Sequence, residues 1–446
     1  MISIVLAMLV ASMDTTIANT TMGAIAGELG GMRLYAWSFA SYMVMSTVVA
    51  PIAGRISDLY GRKTIFAAGI LLFLVASILC GMSETMLQLV LFRAVQGIGA
   101  GIMMPFPAII AGDLYPVEKR GKIQALFSAM WGLSAVLAPM LGAFFVEYAS
   151  WRWIFYINIP ICAISVVLLR YYKEEYESRK AQIDYGGALL FGIAISLLLL
   201  TTTVKSYAIL YGLGGALMLA VFALYERRHA SPIIPLSLLR NRQISWVNVN
   251  GFIGCVALFG TSSFVPLYLQ DEGYSIFLSG VALLGMSVGW MVVSIPAGKW
   301  TLRWGYAQLL VAGNAILVLS GAMLLALTYF GGFWYAFTAL LVQGLAYGLL
   351  STVATIGSQQ LVEPHEKGVS TSLSLFSRNI GTALGITIMG ALMNGAASLA
   401  IGIDHLFLFG FVASLVAFLS SFMIPRGPAA SGIAPVYSHT ADGRRR

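Results

Sequence analysis

Apolar residues along this chain gather into runs of about twenty, the length a helix needs to cross a bilayer. Such runs lie near 2–24, 35–54, 65–83, 88–112, 123–146, 153–169, 185–204, 207–225, 246–269, 276–297, 307–329, 333–356, 368–395 and 405–424. Polar segments between them are short, so the pattern predicts an all-α polytopic membrane protein with fourteen transmembrane helices. An even number puts both termini on one side. The two longest polar segments, 171–184 and 226–243, bracket the runs 185–204 and 207–225, which hold no acid and little polarity beyond a Thr run. That pair reads as an insertion between two six-helix halves. The expected division is 1–172, an inserted pair with its loops at 173–245, 246–424, and a disordered tail at 425–446 that contains Pro, Gly and Ser. The tail ends in Arg444-Arg445-Arg446, a basic end suited to anionic lipid.

Length alone, at 446 residues, would suggest two or three soluble domains. Composition overrules this: 59% of residues are apolar and 10% charged, against about 25% charged in soluble proteins. The net charge of +8 raises the question of nucleic acid, and its distribution answers it. Arg33, Arg152 and Lys205 are the basic residues on one set of loops, Arg93 and Arg378 lie within runs, and the rest of the 26 fall on the other set. By the positive-inside rule that set is cytoplasmic, with both termini, so no nucleic-acid role is needed. Cys80, Cys162 and Cys255 lie in apolar runs and the four histidines are scattered, which indicates neither a disulfide framework nor a metal site. No Gly-x-x-x-x-Gly-Lys-Ser/Thr occurs, so ATP is not the visible energy source. No polar segment is long enough for an enzyme domain, and no cofactor is implied. The first residues are apolar and precede Ala11-Ser12, but a basic start is absent and the run continues past Asp14, which argues against a removed signal.

Three features carry chemistry. The first is Met13-Asp14-Thr15-Thr16-Ile17-Ala18-Asn19. Asp14 falls about halfway along the first run, where a charge costs about 2.5–3.5 kcal/mol, so a purpose is expected. Uptake and release of a proton is such a purpose, because burial disfavours the ionised form. Pairing to Thr15 or Thr16 as a packing element is the plainer alternative. The second is Gly54-x-x-x-Asp58-x-x-Gly61-Arg62-Lys63. Its glycines permit a tight turn, and Asp58 can cap the next helix or meet the positive end of a helix from the other half. Arg62 and Lys63 can pair with Asp113 and Glu118, giving an ion-pair gate that is made and broken. A copy, Gly298-Lys299-Trp300-Thr301-Leu302-Arg303-Trp304-Gly305, follows the second run of the second half and keeps both glycines but not the aspartate. Parallel six-helix repeats are a known transporter plan, with the substrate held between them near the midplane. The third is Arg93, a second costly intramembrane charge, for which Asp14 is the obvious partner.

The Gly54–Lys63 pattern resembles motif A of the major facilitator superfamily, and the chain resembles that family from end to end. Leu91-Phe92-Arg93-Ala94-Val95-Gln96-Gly97-Ile98-Gly99-Ala100 resembles motif B, which implies proton coupling through Arg93. Gly132, Pro139 and Gly142 stand in a run resembling the antiporters' motif C, although Ala138 and Ala143 replace its usual glycines. Met13–Ile17 and Trp151-Arg152-Trp153-Ile154-Phe155-Tyr156-Ile157-Asn158-Ile159-Pro160 resemble segments of the fourteen-helix drug:proton antiporters. That family usually has proline where Gly23 stands and a short basic leader, whose lack here suggests trimming or a misplaced start. The resemblance implies a major facilitator fold of two six-helix bundles plus two inserted helices. It further implies a monomeric secondary transporter in the plasma membrane (the inner membrane of a bacterium), exporting hydrophobic or cationic small molecules in exchange for protons by alternating access. A proton-coupled exporter of one metabolite or lipid would share every motif, and a non-transporting membrane sensor is the remaining competitor.

Cavity candidates are the amide, aromatic and Met positions of helices expected to line the centre: Asn19, Trp37, Tyr42, Met45, Gln96, Met103, Phe127, Trp131, Asn158, Asn248, Asn250, Phe259, Tyr268, Trp290 and Gln343. Flat and polarizable side chains suit a promiscuous apolar site. Arg378 has no acid in the runs of the second half to pair with, leaving either snorkelling or an anionic substrate group as its role.

Overall fold

The computed structural model describes residues 1–30, 34–172, 174, 184–203, 207–229, 232, 236–274, 276–394 and 399–425. Arg33, Lys173, Arg179, Lys180 and Lys205, and the tail from Arg426 onward, lie outside the described residues. All regular structure among the described residues is helical. A first set comprises α1 (Ile2–Leu29), α2 (Tyr35–Tyr60), α3 (Arg62–Gly81), α4 (Met86–Met103), α5 (Phe106–Leu114), α6 (Val117–Tyr148), α7 (Trp153–Tyr156) and α8 (Asn158–Leu169). The pair α9 (Tyr185–Thr203) and α10 (Ala208–Glu226) follows. A second set comprises α11 (Leu236–Arg240), α12 (Arg242–Asp271), α13 (Ile276–Ala282), α14 (Leu284–Trp304), α15 (Tyr306–Leu325), α16 (Leu327–Phe330), α17 (Phe333–Gln360), α18 (Lys367–Asn394) and α19 (Leu399–Ser421).

Among the described residues, eight helices are long and apolar enough to cross a membrane by length and composition. This is fewer than the fourteen apolar runs expected. Four further runs are shorter apolar helices among the described residues, at Ile2–Ala18, Trp153–Leu169, Tyr185–Leu198 and Leu210–Glu226. Of the rest, α18 is polar on the face it buries and α6 is charged in its opening turns. α18 buries Ser370, Thr371, Ser372 and Ser374, and α6 opens on Glu118, Lys119, Arg120 and Lys122.

Each set has its own apolar core, with Phe66, Phe73, Phe106 and Phe155 in the first and Leu324, Leu340 and Phe407 in the second. The same packing device recurs in both. Gly97 and Gly101 of α4 lie on the backbone of α2 at Tyr42 and Ser46, and Gly344 and Gly348 of α17 lie on the backbone of α14 at Met286 and Trp290. A Cβ at Gly97 would stand 2.5 Å from the Tyr42 carbonyl oxygen, so only glycine permits this approach. Gly61 and Gly305 end α2 and α14 with φ of 96° and 78°, backbone that other residues rarely adopt. The sets meet along α2 with α18 and along α6 with α14.

Candidate functional site

Five helices of the first set converge on Asp14. α4 presents Arg93 and Gln96 three residues apart, hence on one face, and α1, α2, α3 and α8 bring Asp14, Tyr42, Ser77 and Asn158. Arg93 Nη1 donates to Asp14 Oδ2 at 2.6 Å and to Gln96 Oε1 at 2.8 Å. Gln96 Nε2 donates to Asp14 Oδ1 and to Ser77 Oγ at 2.8 and 2.9 Å. Asn158 Nδ2 reaches the same two acceptors at 3.2 and 3.3 Å. The Arg93 guanidinium lies 4.3 Å over the Tyr42 ring, which adds a cation–π contact. Asp14 and Arg93 are each 1% exposed. A pair this deep is held by its hydrogen bonds as much as by Coulomb attraction, although Arg93 Nε finds no acceptor among the described residues. Thr15 and Thr16 donate instead to the Ala11 and Ser12 carbonyls of their own helix.

A second constellation ties the two sets together at the end of α2. Asp58 takes the second of its expected roles. Its Oδ1 accepts from Gly368 N at 3.0 Å and its Oδ2 from Val369 N at 2.8 Å, capping the positive end of α18 from across the seam. Arg62 pairs with Asp58 and, through Nε at 3.2 Å, with Asp113. Asp113 also faces Lys367 Nζ at 3.9 Å, so it bridges the sets. Burial lowers the Lys367 ammonium from its ordinary range, opposed by Asp113 and reinforced by Arg120 and Arg62. Lys63 does not use Glu118. Its Nζ donates to the Arg170 and Tyr172 carbonyls, while the Arg62 and Lys63 amides donate to the Glu174 carboxylate at the start of α3. Arg120 Nη1 crosses the seam to Gln359 Oε1 at 3.0 Å, and Gln359 Nε2 returns to the Ala108 carbonyl at 2.9 Å. Gly54 permits this closeness, since a Cβ there would lie 2.6 Å from the Gly368 carbonyl oxygen.

In the second set a neutral network stands at the matching place. Gln343 Nε2 donates to Thr261 Oγ1 at 2.7 Å and to the Leu258 carbonyl at 3.2 Å. Asn250 donates to Ala417 O and Ser420 Oγ and accepts from Asn314. Arg378 makes no ion pair among the described residues. Its Nη1 donates to the Ser351 carbonyl at 3.2 Å and its Nη2 to Thr355 Oγ1 at 3.5 Å.

The remaining expected residues scatter. Phe259 and Trp290 meet edge-on at the Tyr347 ring, with centroids 5.1 and 4.8 Å away. Phe127 is buried and lines a cavity beside Arg120. Trp37 and Trp131 are half-buried. Gly132 faces α14 at Ser287, Gly142 is buried, and α6 runs unbroken through Pro139, whose side chain, like that of Asn19, lies outside the description. Sequence reasoning missed Ser77, Glu174, Gln359 and Tyr347. Small polar residues in helices carry no distinctive signal, but Gln359 and Glu174, beside a gate built on charges, could have been flagged.

A family model described as Major Facilitator Superfamily matches residues 4–386. The chain is 34% identical over 403 residues to the multidrug transporter protein MdtP of Bacillus subtilis, covering 88% of this chain and 74% of that one. It is 27% identical over 403 residues to the multidrug efflux pump SdrM of Staphylococcus aureus, covering 88% of each. Among solved structures it is similar to the human organic anion transporter MFSD10 (TETRAN), with a TM-score of 0.68 at 14% identity over 94% of this chain and 98% of the other. At that identity the likeness concerns the fold.

Proposed function

The chain belongs to the major facilitator superfamily, as a multi-pass membrane transporter and not an enzyme, and on that premise we propose that it performs multidrug efflux. It exports hydrophobic compounds in exchange for protons. The bundles 1–172 and 246–424 rock about a central site, with 173–245 as an inserted pair, fourteen crossings and both termini cytoplasmic. Relatives named as a multidrug transporter and an efflux pump support the cargo class. The observation that carries the coupling is the enclosed Asp14 network, because a carboxylate at that depth gains most by exchanging a proton.

In this reading Arg93 and the two amides hold ionised Asp14. A proton arriving on Oδ2 removes the charge that Arg93 faces, and Arg93 retains Gln96 Oε1 as acceptor. The network slackens, α1 and α4 become free to shift against each other, and the Asp58–α18 cap is made or broken with the change of access. The membrane potential supplies about 2.3 kcal/mol per charge for each 100 mV, enough to drive exchange uphill. Motif C, through Gly132, Pro139 and Gly142, would assist by close helix approach.

The test uses inside-out vesicles with an imposed pH gradient and three fluorescent probes: neutral Nile red, cationic ethidium and anionic 2-naphthoate. Gradient-driven uptake of at least one probe, lost in Asp14→Asn, is expected. Uptake that survives the substitution moves the coupling residue elsewhere. A protein that expresses well and accumulates none of the probes overturns efflux.

A further inference from the structure

The formal charges within the apolar runs are Asp14, Arg93 and Arg378. The first two neutralise each other at 2.6 Å, so Arg378 alone leaves the interior net positive. We propose that Arg378 anchors the acidic head of the cargo, and that the preferred cargo is a lipophilic organic anion, such as a carboxylate on an aromatic body. This rests on the export reading and names its substrate class.

Three observations converge. First, the Arg378 donors are underused: Nη1 and Nη2 have weak protein acceptors at 3.2 and 3.5 Å, and Nε is buried with no partner. A guanidinium at this depth costs several kcal/mol unless it serves a purpose, and its fork of donors matches a carboxylate. Second, Arg378 lines a narrow, water-sized cleft of about 20 Å³ whose walls are largely apolar, including Leu258, Leu310 and Leu350, so an aromatic body enters only as the helices around it part. The same wall holds Ser351, which is 2% exposed with an Oγ that has no partner. A hydroxyl with no partner among the described residues beside a partly satisfied guanidinium, faced by leucines, offers donors for an acidic head and apolar surface for its body. Third, the neighbouring cavity has the same sign. Thr355, the acceptor of Arg378 Nη2, lines a second cavity at the junction of the helix sets together with Arg120, Gln124, Phe127 and Gln359. Among the described residues, no carboxylate lines either cavity. A cation at these cavities would face two guanidiniums and find no counter-charge among the described residues, because both Asp14 oxygens are engaged in the first set.

Equilibrium binding to the full-length protein in nanodiscs tests this without any proton gradient, using isothermal titration of 2-naphthoate and of its cationic counterpart 2-naphthylmethylammonium, with empty nanodiscs subtracted. Wild-type protein should bind naphthoate at least about tenfold more tightly than the ammonium, the worth of a charge-assisted hydrogen bond. Arg378→Gln should erase that preference by weakening naphthoate alone, and Arg378→Lys should restore part of it. Ser351→Ala should weaken naphthoate by about threefold and leave the ammonium unchanged. Equal or tighter binding of the ammonium by wild type overturns the proposal, as does unchanged naphthoate affinity in Arg378→Gln. If that variant does not fold, wild-type selectivity and Ser351→Ala still decide. Loss of Asp14-dependent exchange leaves this readout untouched. Gradient-driven ethidium uptake with no naphthoate binding keeps the exporter and removes the anion site.

Discussion

The two helix sets carry one scaffold in two electrical versions. Val95-Gln96-Gly97 on α4 and Val342-Gln343-Gly344 on α17 occupy matching places, and each glutamine amide donates to the first long helix of its set, α1 or α12. In α1–α8 it meets Asp14, with Arg93 alongside. In α12–α19 it meets Thr261, with Leu340 where Arg93 would be. Tyr42, which shelters Arg93, is answered by Met286, and Asp58 by Leu302. The packing glycines persist in both sets while the charges persist in one. Holding the fold therefore does not require those charges, and the set that keeps them is the set to which chemistry is assigned.

The largest effect should come from converting one version into the other. Arg93→Leu strands a buried carboxylate and should cost about 3–5 kcal/mol of unfolding free energy, and Asp14→Thr should do the same by stranding Arg93. The double variant copies the second set and should recover to within about 1–2 kcal/mol of wild type, because an apolar replacement of a whole buried pair is close to neutral. Its gradient-driven transport should stay at zero. Denaturant unfolding in detergent with parallel vesicle transport measures both, and a double variant that still couples would break the comparison.

Next in size, Asp58→Leu imitates Leu302 and removes both bonds to the α18 N-terminus. It should bias the sets apart by about 1.5–3 kcal/mol, read as a tenfold or greater rise in labelling of a cysteine placed beneath Asp58. Leu302→Asp should change labelling by much less. Gly54→Ala and Gly298→Ala sharpen the symmetric side. Their Cβ atoms would lie 2.6 Å from Gly368 O and 2.5 Å from Val117 O, so each should cost about 1–3 kcal/mol, and closely similar melting shifts are expected. The smallest effect belongs to Gln343→Ala, about 1 kcal/mol for a neutral hydrogen bond, with pH-driven transport unchanged.

Hydrophobic periodicity made the helices legible, and charge economy made Asp14, Arg93 and Asp58 legible, because an expensive residue announces itself. The Asp14–Arg93 pairing and the meeting of Asp58 with a helix of the other set were both expected. What stayed hidden was cheap. Ser77 and Asn158 differ from dozens of other polar helix residues only by their position in space, and helix faces cannot be assigned where most of a helix is apolar. Tyr347 is central because Phe259 and Trp290 come to it from two helices, a long-range fact with no local trace. The count of crossings was harder to read for a related reason. Buried serines and threonines lower the apolar character of α18 and a charged opening that of α6, so both look less like membrane spans.

The inserted pair has a consequence for how cargo arrives. Phe191 of α9 packs at a tilt against Phe376 of α18, with centroids 5.3 Å apart, and Gly192 lies against Val48 of α2, so the α9–α10 pair lies over the edge of the α2–α18 seam. Among the described residues the opposite seam is uncovered: Leu133 and Met140 of α6 and Val288, Val292 and Ile295 of α14 turn exposed apolar side chains outward. A compound dissolved in the lipid leaflet therefore meets a shuttered doorway on one flank and an unshuttered one on the other. Sideways entry from the bilayer would be one-handed, through α6 and α14.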